Sequence, residues 1–196
     1  MLPVGILLAA GRGRRFDPAG ASNKLLALLP SHEPVVAASA RALLAVLPRV
    51  IAVVAPGDDA VGRVLRAVGC EVVVCDDADR GMAASLVHAL RHSLPDAQSW
   101  LIALGDMPHV RTSTFAALCA QLEQGADIVA PVHQGRRGNP VGFSRVYLPE
   151  LLALEGDQGA RAILEARLVH PVAVDDPGIF HDIDTPSDLQ KAVHFR

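Results

Sequence analysis

Aromatic side chains are scarce: five Phe, one Tyr and one Trp, 4% of 196 residues. With 51% hydrophobic content overall, the core must be Ala, Val and Leu, which suits close packing of helices on a sheet. Cysteine is also sparse. Cys70, Cys75 and Cys119 are an odd set, and the first two, five apart on one strand-like run, face opposite sides and do not pair readily. All three read as small buried apolar residues in a reducing compartment. Neither sign of charge dominates: 18 Lys and Arg stand against 21 Asp and Glu, a net charge of −3 with no charged tail. That removes the electrostatic footprint of a nucleic-acid binder. No apolar run is long enough to span a bilayer, and no charged segment followed by an apolar one opens the chain. The expectation is a cytoplasmic protein with no nucleic-acid and no membrane partner. There is no internal repeat or low-complexity linker, so 1–196 is expected to be a single domain. A chain of this length buries about 70% of its unfolded surface, and its mean hydropathy of +0.30 is that of a globular protein.

What the sequence does have is concentrated near its start. Residues 4–9 are apolar without alternation, as in a strand buried on both faces. The run stops at Ala10-Gly11-Arg12-Gly13-Arg14-Arg15-Phe16, and Asn23-Lys24 follows after a short gap. With no Cβ at Gly11 and Gly13, backbone N–H groups can line one concavity, which Arg12, Arg14, Arg15 and Lys24 surround with positive charge. This is a cradle for a polyphosphate; the bland alternative is a strand-to-loop turn with solvated arginines. Phe16 stands where the dinucleotide-binding fingerprint needs its third glycine, and the P-loop ending Gly-Lys-Ser/Thr is absent.

The remaining pattern predicts helices over 34–47, 58–68, 81–94 and 112–124, alternating with strands over 49–55, 70–75, 100–104 and 127–132. A β-α-β-α-β-α-β-α-β order implies an α/β fold, a doubly wound, mostly parallel sheet. Ligands of such sheets bind at the carboxyl ends of strands, so the first loop and Asp106, which follows the fourth strand, should share one edge. Beyond residue 133 the pattern changes. Residues 134–143 read as an irregular hairpin or insert, 146–154 as a helix kinked or split at Pro149, 160–167 as a helix, 168–174 as a strand and 179–183 as extended. Thr185-Pro186-Ser187-Asp188 opens a last helix running to about residue 193, with an N-cap Thr, Pro at the first helical position and Asp three after the cap.

Carboxylates are the other chemistry-bearing group. Asp106, held between Gly105 and Met107-Pro108, either caps the next helix or offers oxygen to Mg²⁺, which takes one or two carboxylates together with substrate phosphates. Asp182 and Asp184 share a face in an extended segment and repel unless a cation lies near them. Asp184 either caps the last helix or completes a two-carboxylate site with Asp106, and Asp182 competes for that place. His88 and His92, four apart on a helix, lack a third ligand and read as a solvated face. His109 and His133 carry no assignment. Arg136-Arg137 are equally consistent with contact to an acidic substrate and with solvation.

Five segments in register extend this reading. Leu8-Ala9-Ala10-Gly11 with Arg15 and Lys24, Gly81-Met82-Ala83-Ala84-Ser85-Leu86, Gly105-Asp106-Met107-Pro108, Gly138-Asn139-Pro140-Val141 with Gly156-Asp157-Gln158-Gly159-Ala160-Arg161, and Asp182-Ile183-Asp184-Thr185-Pro186-Ser187-Asp188 occur in order. Together they resemble the molybdenum cofactor cytidylyltransferases of the MobA-like NTP transferase family, which have a Rossmann-like nucleotidyltransferase fold. The resemblance implies transfer of CMP from CTP to the terminal phosphate of a molybdopterin-type substrate, with release of pyrophosphate; Ala10, where the guanylyl branch has Gly, favours CTP. It implies Lys24, Arg15 and Asp106 as catalytic residues and Leu8, Ala9, Ala10, Gly11, Arg12, Gly13, Arg15, Lys24, Gly81 and Ser85 around the nucleotide. Asp106 and Asp184 would hold Mg²⁺, and Asn139, Pro140, Gly156, Asp157 and Gly159 would line the pterin side. A molybdenum hydroxylase receiving the cofactor is the implied partner. Sugar- or polyol-phosphate nucleotidyltransfer, guanylyl transfer to the same cofactor, and a non-enzymatic cofactor chaperone are the alternatives. One departure from the family pattern is the long gap from Phe16 to Ser22, in which Asp17 adds negative charge unless an arginine pairs with it.

Overall fold

The computed structural model describes residues 1–11, 13, 16–17, 22–157 and 159–191. Its centre is β1 (Val4–Leu8), flanked in parallel by β2 (Val50–Val54) and β4 (Ser99–Leu104), with β3 (Glu71–Val74) parallel on β2. These strands read as unbroken apolar runs because both faces are covered, and alternate residues serve alternate faces. Leu7, Ala52, Val54, Leu101 and Ala103 enter one core with α1 (Val35–Leu44), α2 (Asp59–Val68) and α4 (Thr112–Glu123). Ile6, Ile51, Val53, Trp100 and Ile102 enter the other with α3 (Met82–Ser93), α5 (Leu148–Leu152) and α6 (Arg161–Ala166). Gly5 lets α1 close on the sheet: a Cβ there would lie 3.0–3.2 Å from Val50, Leu43 and Leu47. Cys70 and Cys75 fall in opposite cores, and all three thiols are free and buried.

The α/β architecture and mostly parallel sheet match the expectation. The fifth strand forms where it is expected. β5 (Ile128–His133) does not pair with β4; β7 (Val141–Ser144) lies between them, antiparallel to both. The resulting order is β3-β2-β1-β4-β7-β5, with β6 (Arg136–Arg137) and β8 (His170–Ala173) both on β5. β7 is too short to show a period, yet Phe143 is fully buried between Trp100 and Ile128. A Cβ at Gly142 would lie 2.6 Å from Val129 and 2.8 Å from Leu122, so α4 can pack there only over glycine. The sequence around Pro149 splits as anticipated: a 3-10 turn at Arg145–Tyr147 ends where α5 begins, with Pro149 in its first turn. Residues 179–183 are a correction. A 3-10 turn, Pro177–Phe180, takes up the first half, and only the segment leading to α7 (Pro186–Lys191) is extended. The expected run of that helix to residue 193 lies outside the described residues. Among the described residues no helix is long and apolar enough to cross a membrane.

Candidate active site

β1 and β4 are parallel neighbours in register from Val4–Trp100 to Leu8–Leu104, so the loops that follow them open on the same edge. This is where the strand order reverses, the usual place for a ligand in an open α/β sheet. The two loops are stitched together. Gly105 donates its N–H to Leu8 O at 2.9 Å, and a Cβ at Gly105 would press on Leu8 O at 3.1 Å and Ala9 Cβ at 3.2 Å. Ser39 Oγ, buried in α1, donates to Gly105 O at 3.0 Å. Asp106 therefore leaves a strand end whose position is fixed on two sides.

Asp184 arrives from the other end of the chain. Ile183 N donates to Asp106 O at 2.8 Å, which lays the extended segment across the strand end. The segment is tied down upstream by Asp176. This carboxylate is 2% exposed and accepts from Arg111 N at 2.8 Å, Thr114 Oγ1 at 2.6 Å and Gly178 N at 2.9 Å. Downstream, Asp188 Oδ2 accepts from Thr185 N at 2.8 Å and Thr185 Oγ1 at 2.7 Å, so the last helix begins with the capping arrangement expected from its sequence. Asp184 is thus spared from capping.

Lys24 joins the two carboxylates. Its Nζ donates to Asp106 Oδ2 at 2.6 Å and to Asp184 Oδ1 at 2.7 Å, and its side chain is 9% exposed. Burial pulls the ammonium down in pKa; Asp106 and then Asp184 outweigh it, so the net direction is upward from 10.5 and the charge is held. Lys24 opens a short 3-10 turn, Lys24–Leu26, capped by Asn23 Oδ1, which accepts from Leu25 N at 2.9 Å. Gly13, at φ +58°, sits over the lysine stem, where a Cβ would lie 3.2 Å from Lys24 Cγ. The long gap after the first loop is closed partly by Ser22 N on Asp17 Oδ2 at 2.7 Å and by Phe16, which packs with Leu29, Val35 and Ile183.

Asp106 Oδ1 is buried and has no hydrogen-bond partner among the described residues. A buried carboxylate oxygen left unpaired is costly, and a hard divalent cation is the ligand that carboxylate oxygens accept best. The donor set of Asp106 and Asp184 fits such an ion completed by phosphate oxygens. It does not form an all-protein cage: no cluster of three or more metal-binding side chains exists among the described residues. Asp182 does not touch Lys24. Partial burial raises its pKa, and repulsion from Asp184 and Asp106 adds to that.

A cavity of about 470 Å³ opens beside this trio. It is lined on one side by Leu8, Ala9, Ala10, Gly11, Lys24 and Asp106 and on the other by Gly81, Met82 and Ser85 at the start of α3. Seven residues expected around the nucleotide therefore line one cavity; Arg12, Arg14 and Arg15 lie outside the described residues. Asp157 lines the same cavity, so a residue assigned from sequence to the pterin side shares a wall with Ser85. The reason is tight packing of the Gly156 loop on α3. Ala83 N donates to Gly156 O at 3.0 Å, and a Cβ at Gly81 (φ +116°) would lie 2.5 Å from that oxygen. Gly159 sits equally close to Met82, its Cβ position 2.9 Å from Sδ. Asn139 and Pro140 line a separate small crevice with Ser39, Leu104 and Met107, next to the Asp106 loop. Asn139 N donates to Ile179 O at 3.0 Å. Sequence reasoning missed Ala78 and Asp79 in the cavity wall and Asp176, which anchors the start of α4. Only the small residues opening α3 signalled the wall, and nothing local marks Asp176. His92 is held on Glu71 at 2.5 Å, on the helix face taken to be non-functional.

The chain resembles known proteins over most of its length. Residues 5–172 match the MobA-like NTP transferase domain. The purine catabolism protein PucB of Bacillus subtilis (strain 168) is 30% identical over 119 residues, a match spanning 59% of this chain and 57% of that protein's length. The crystal structure of Rv0371c from Mycobacterium tuberculosis H37Rv superposes with a TM-score of 0.85 at 28% identity, covering 98% of this chain and 97% of that one. A structure of Rv0371c in complex with manganese superposes with a TM-score of 0.80 at 27% identity, covering 98% of each chain.

Proposed function

We propose, from the premise that the chain belongs to the MobA-like NTP transferase domain family and is a nucleotidyltransferase, that it transfers CMP from CTP to the terminal phosphate of a molybdopterin-type substrate and releases pyrophosphate. The observation that carries this reading is the single cavity that gathers the first loop, Lys24, the start of α3 and Asp106. In this reading residues 1–196 act as one nucleotidyltransferase domain.

The backbone from Ala10 to Gly13, with Arg12 and Arg15, binds the β- and γ-phosphates. Lys24 supplies positive charge to the α-phosphate, where negative charge grows in the transition state. Gly81 and Ser85 border the base and ribose, and Asp157 closes that wall. Asn139, Pro140, Gly156 and Gly159 border the acceptor. Asp106 and Asp184 would hold Mg²⁺; the manganese complex of Rv0371c supports a divalent ion in this fold. When bound there, such an ion would supply positive charge against the negative charge of the phosphates. The acceptor phosphate is already ionised, so no general base is required, and catalysis is positioning with charge neutralisation. The receiving partner is a molybdenum hydroxylase.

Thermal stability with CTP, GTP, ATP and UTP, each with and without Mg²⁺, tests the reading. A ligand at about 100 times its dissociation constant adds about 2.7 kcal/mol. A Mg²⁺-dependent rise with CTP alone, lost in Asp106→Asn, is the expected result. A rise with GTP alone moves the assignment to guanylyl transfer.

A further inference from the structure

Lys24 stands where a metal would stand. Its Nζ lies 2.6 Å from Asp106 Oδ2 and 2.7 Å from Asp184 Oδ1, and Mg²⁺ binding both oxygens at about 2.1 Å from the lysine's side would fall within the volume of the ammonium. On that side the two compete for the same oxygens and carry like charge. An ion on Asp106 Oδ1 alone would face the ammonium held on the other oxygen of the same carboxylate, with one oxygen gained and like charge opposed. The lysine is well kept in this place. Its side chain is 9% exposed, its stem is covered by Gly13, and its turn is fixed by the Asn23 cap.

We infer that Lys24 is the resident counter-cation of the Asp106–Asp184 pair, so that a divalent ion enters only with a nucleotide polyphosphate that draws the ammonium away. This rests on the nucleotidyltransferase reading above. Bare metal must displace a paired cation and leave it unpaired in a buried place, which is costly. Metal arriving with phosphates gives Lys24 new anionic oxygens, and the ammonium changes partners from carboxylate to phosphate. Metal affinity and nucleotide affinity are then coupled and reciprocal. The free protein resists metal loading and keeps its two carboxylates compensated between turnovers.

The test needs no acceptor and no turnover. Binding of Mn²⁺ alone, read by electron paramagnetic resonance, is compared in wild type and Lys24→Met. The expected result is at least a tenfold tighter site in the variant, abolished by adding Asp106→Asn. Equal affinity in the two folded proteins overturns the inference. Because Lys24→Met leaves two carboxylates facing each other, a second measurement uses the unaltered protein. The chain has two lysines, Lys24 and Lys191, so side-chain ammonium resonances of ¹⁵N-lysine protein are readily assigned. Mg²⁺ alone up to about 10 mM leaves the Lys24 resonance in place, and Mg²⁺ with CTP, GTP or inorganic pyrophosphate moves it. Displacement by Mg²⁺ alone at submillimolar concentration contradicts the inference. The metal-alone arms contain no nucleotide, so they fail or succeed independently of which base the cavity accepts.

Discussion

The two carboxylates that meet on Lys24 come from regions built in different ways. Asp106 belongs to the block of β1 to β4, where each strand is parallel to its neighbour and each loop follows its strand onto one edge. Asp184 belongs to the mixed block of β5 to β8, in which an antiparallel strand, a hairpin and a 3-10 turn carry the chain back across the sheet. In the first block a side chain is positioned by the strand it leaves. In the second it is positioned by discrete polar anchors, above all Asp176 and Asp188, and by glycines where segments touch. The first block should be robust to single changes away from the site, and the second should fail at its anchors.

The largest effect expected is on chemistry. Asp106→Asn keeps shape but removes the charge that holds Lys24 and, in the proposed reaction, the ion, and kcat/KM should fall by about 10³-fold or more, measured as pyrophosphate release. Loss of less than tenfold would remove Asp106 from the reaction. Asp176→Ala comes next, because it strands Thr114, Arg111 N and Gly178 N, three donors now satisfied by one buried carboxylate. At about 1 to 3 kcal/mol for a stranded buried partner, the loss should be about 3 to 5 kcal/mol, a fall in Tm of roughly 6 to 20 °C. Because the anchor serves Asp184, kcat should fall too, while a change at the outer edge of β3 such as Val74→Thr leaves kcat alone.

Gly81→Ala tests the seam between the blocks. The new Cβ would sit 2.5 Å from Gly156 O at a φ of +116°, so the Gly156–Asp157 loop must move off α3. KM for the nucleotide should rise about tenfold, with a smaller change in kcat. The smallest effect belongs to the buried thiols. Burial pushes Cys70 and Cys119 each from 9.0 up to about 11. A raised folded-state pKa contributes stability that is complete below pH 9 and is lost as pH rises toward about 11. Each thiol should cost about 1.4 kcal/mol at about pH 10, and the double variant Cys70→Ala, Cys119→Ala should flatten that alkaline fall in urea titrations.

The same contrast explains what could be read from the sequence. Residues 4–9, 49–55 and 100–104 are buried on both faces and announce themselves as apolar runs; Gly69 ends α2 at φ +107°, as a left-handed cap should. The edge that gathers Leu8 to Gly11 with Asp106 follows from strand order alone. β7 did not show, because four residues between Leu101 and Val129 owe their place to Phe143 and a glycine, not to a period. Asp184 was legible as half of a pair with Asp106, but its choice over Asp182 depends on Ile183 N reaching Asp106 O. Asp157 was placed beside the pterin by the family resemblance alone; the close approach of Gly156 to Gly81 brings it into the cavity that Ser85 lines.

Pyrophosphate release from CTP, GTP, ATP and UTP with Mg²⁺ and a molybdopterin-type acceptor tests the central claim most directly. The account predicts release that requires CTP, Mg²⁺ and the acceptor together, and that Asp106→Asn abolishes. Release that persists undiminished in Asp106→Asn, or no release with any of the four nucleotides, would contradict it.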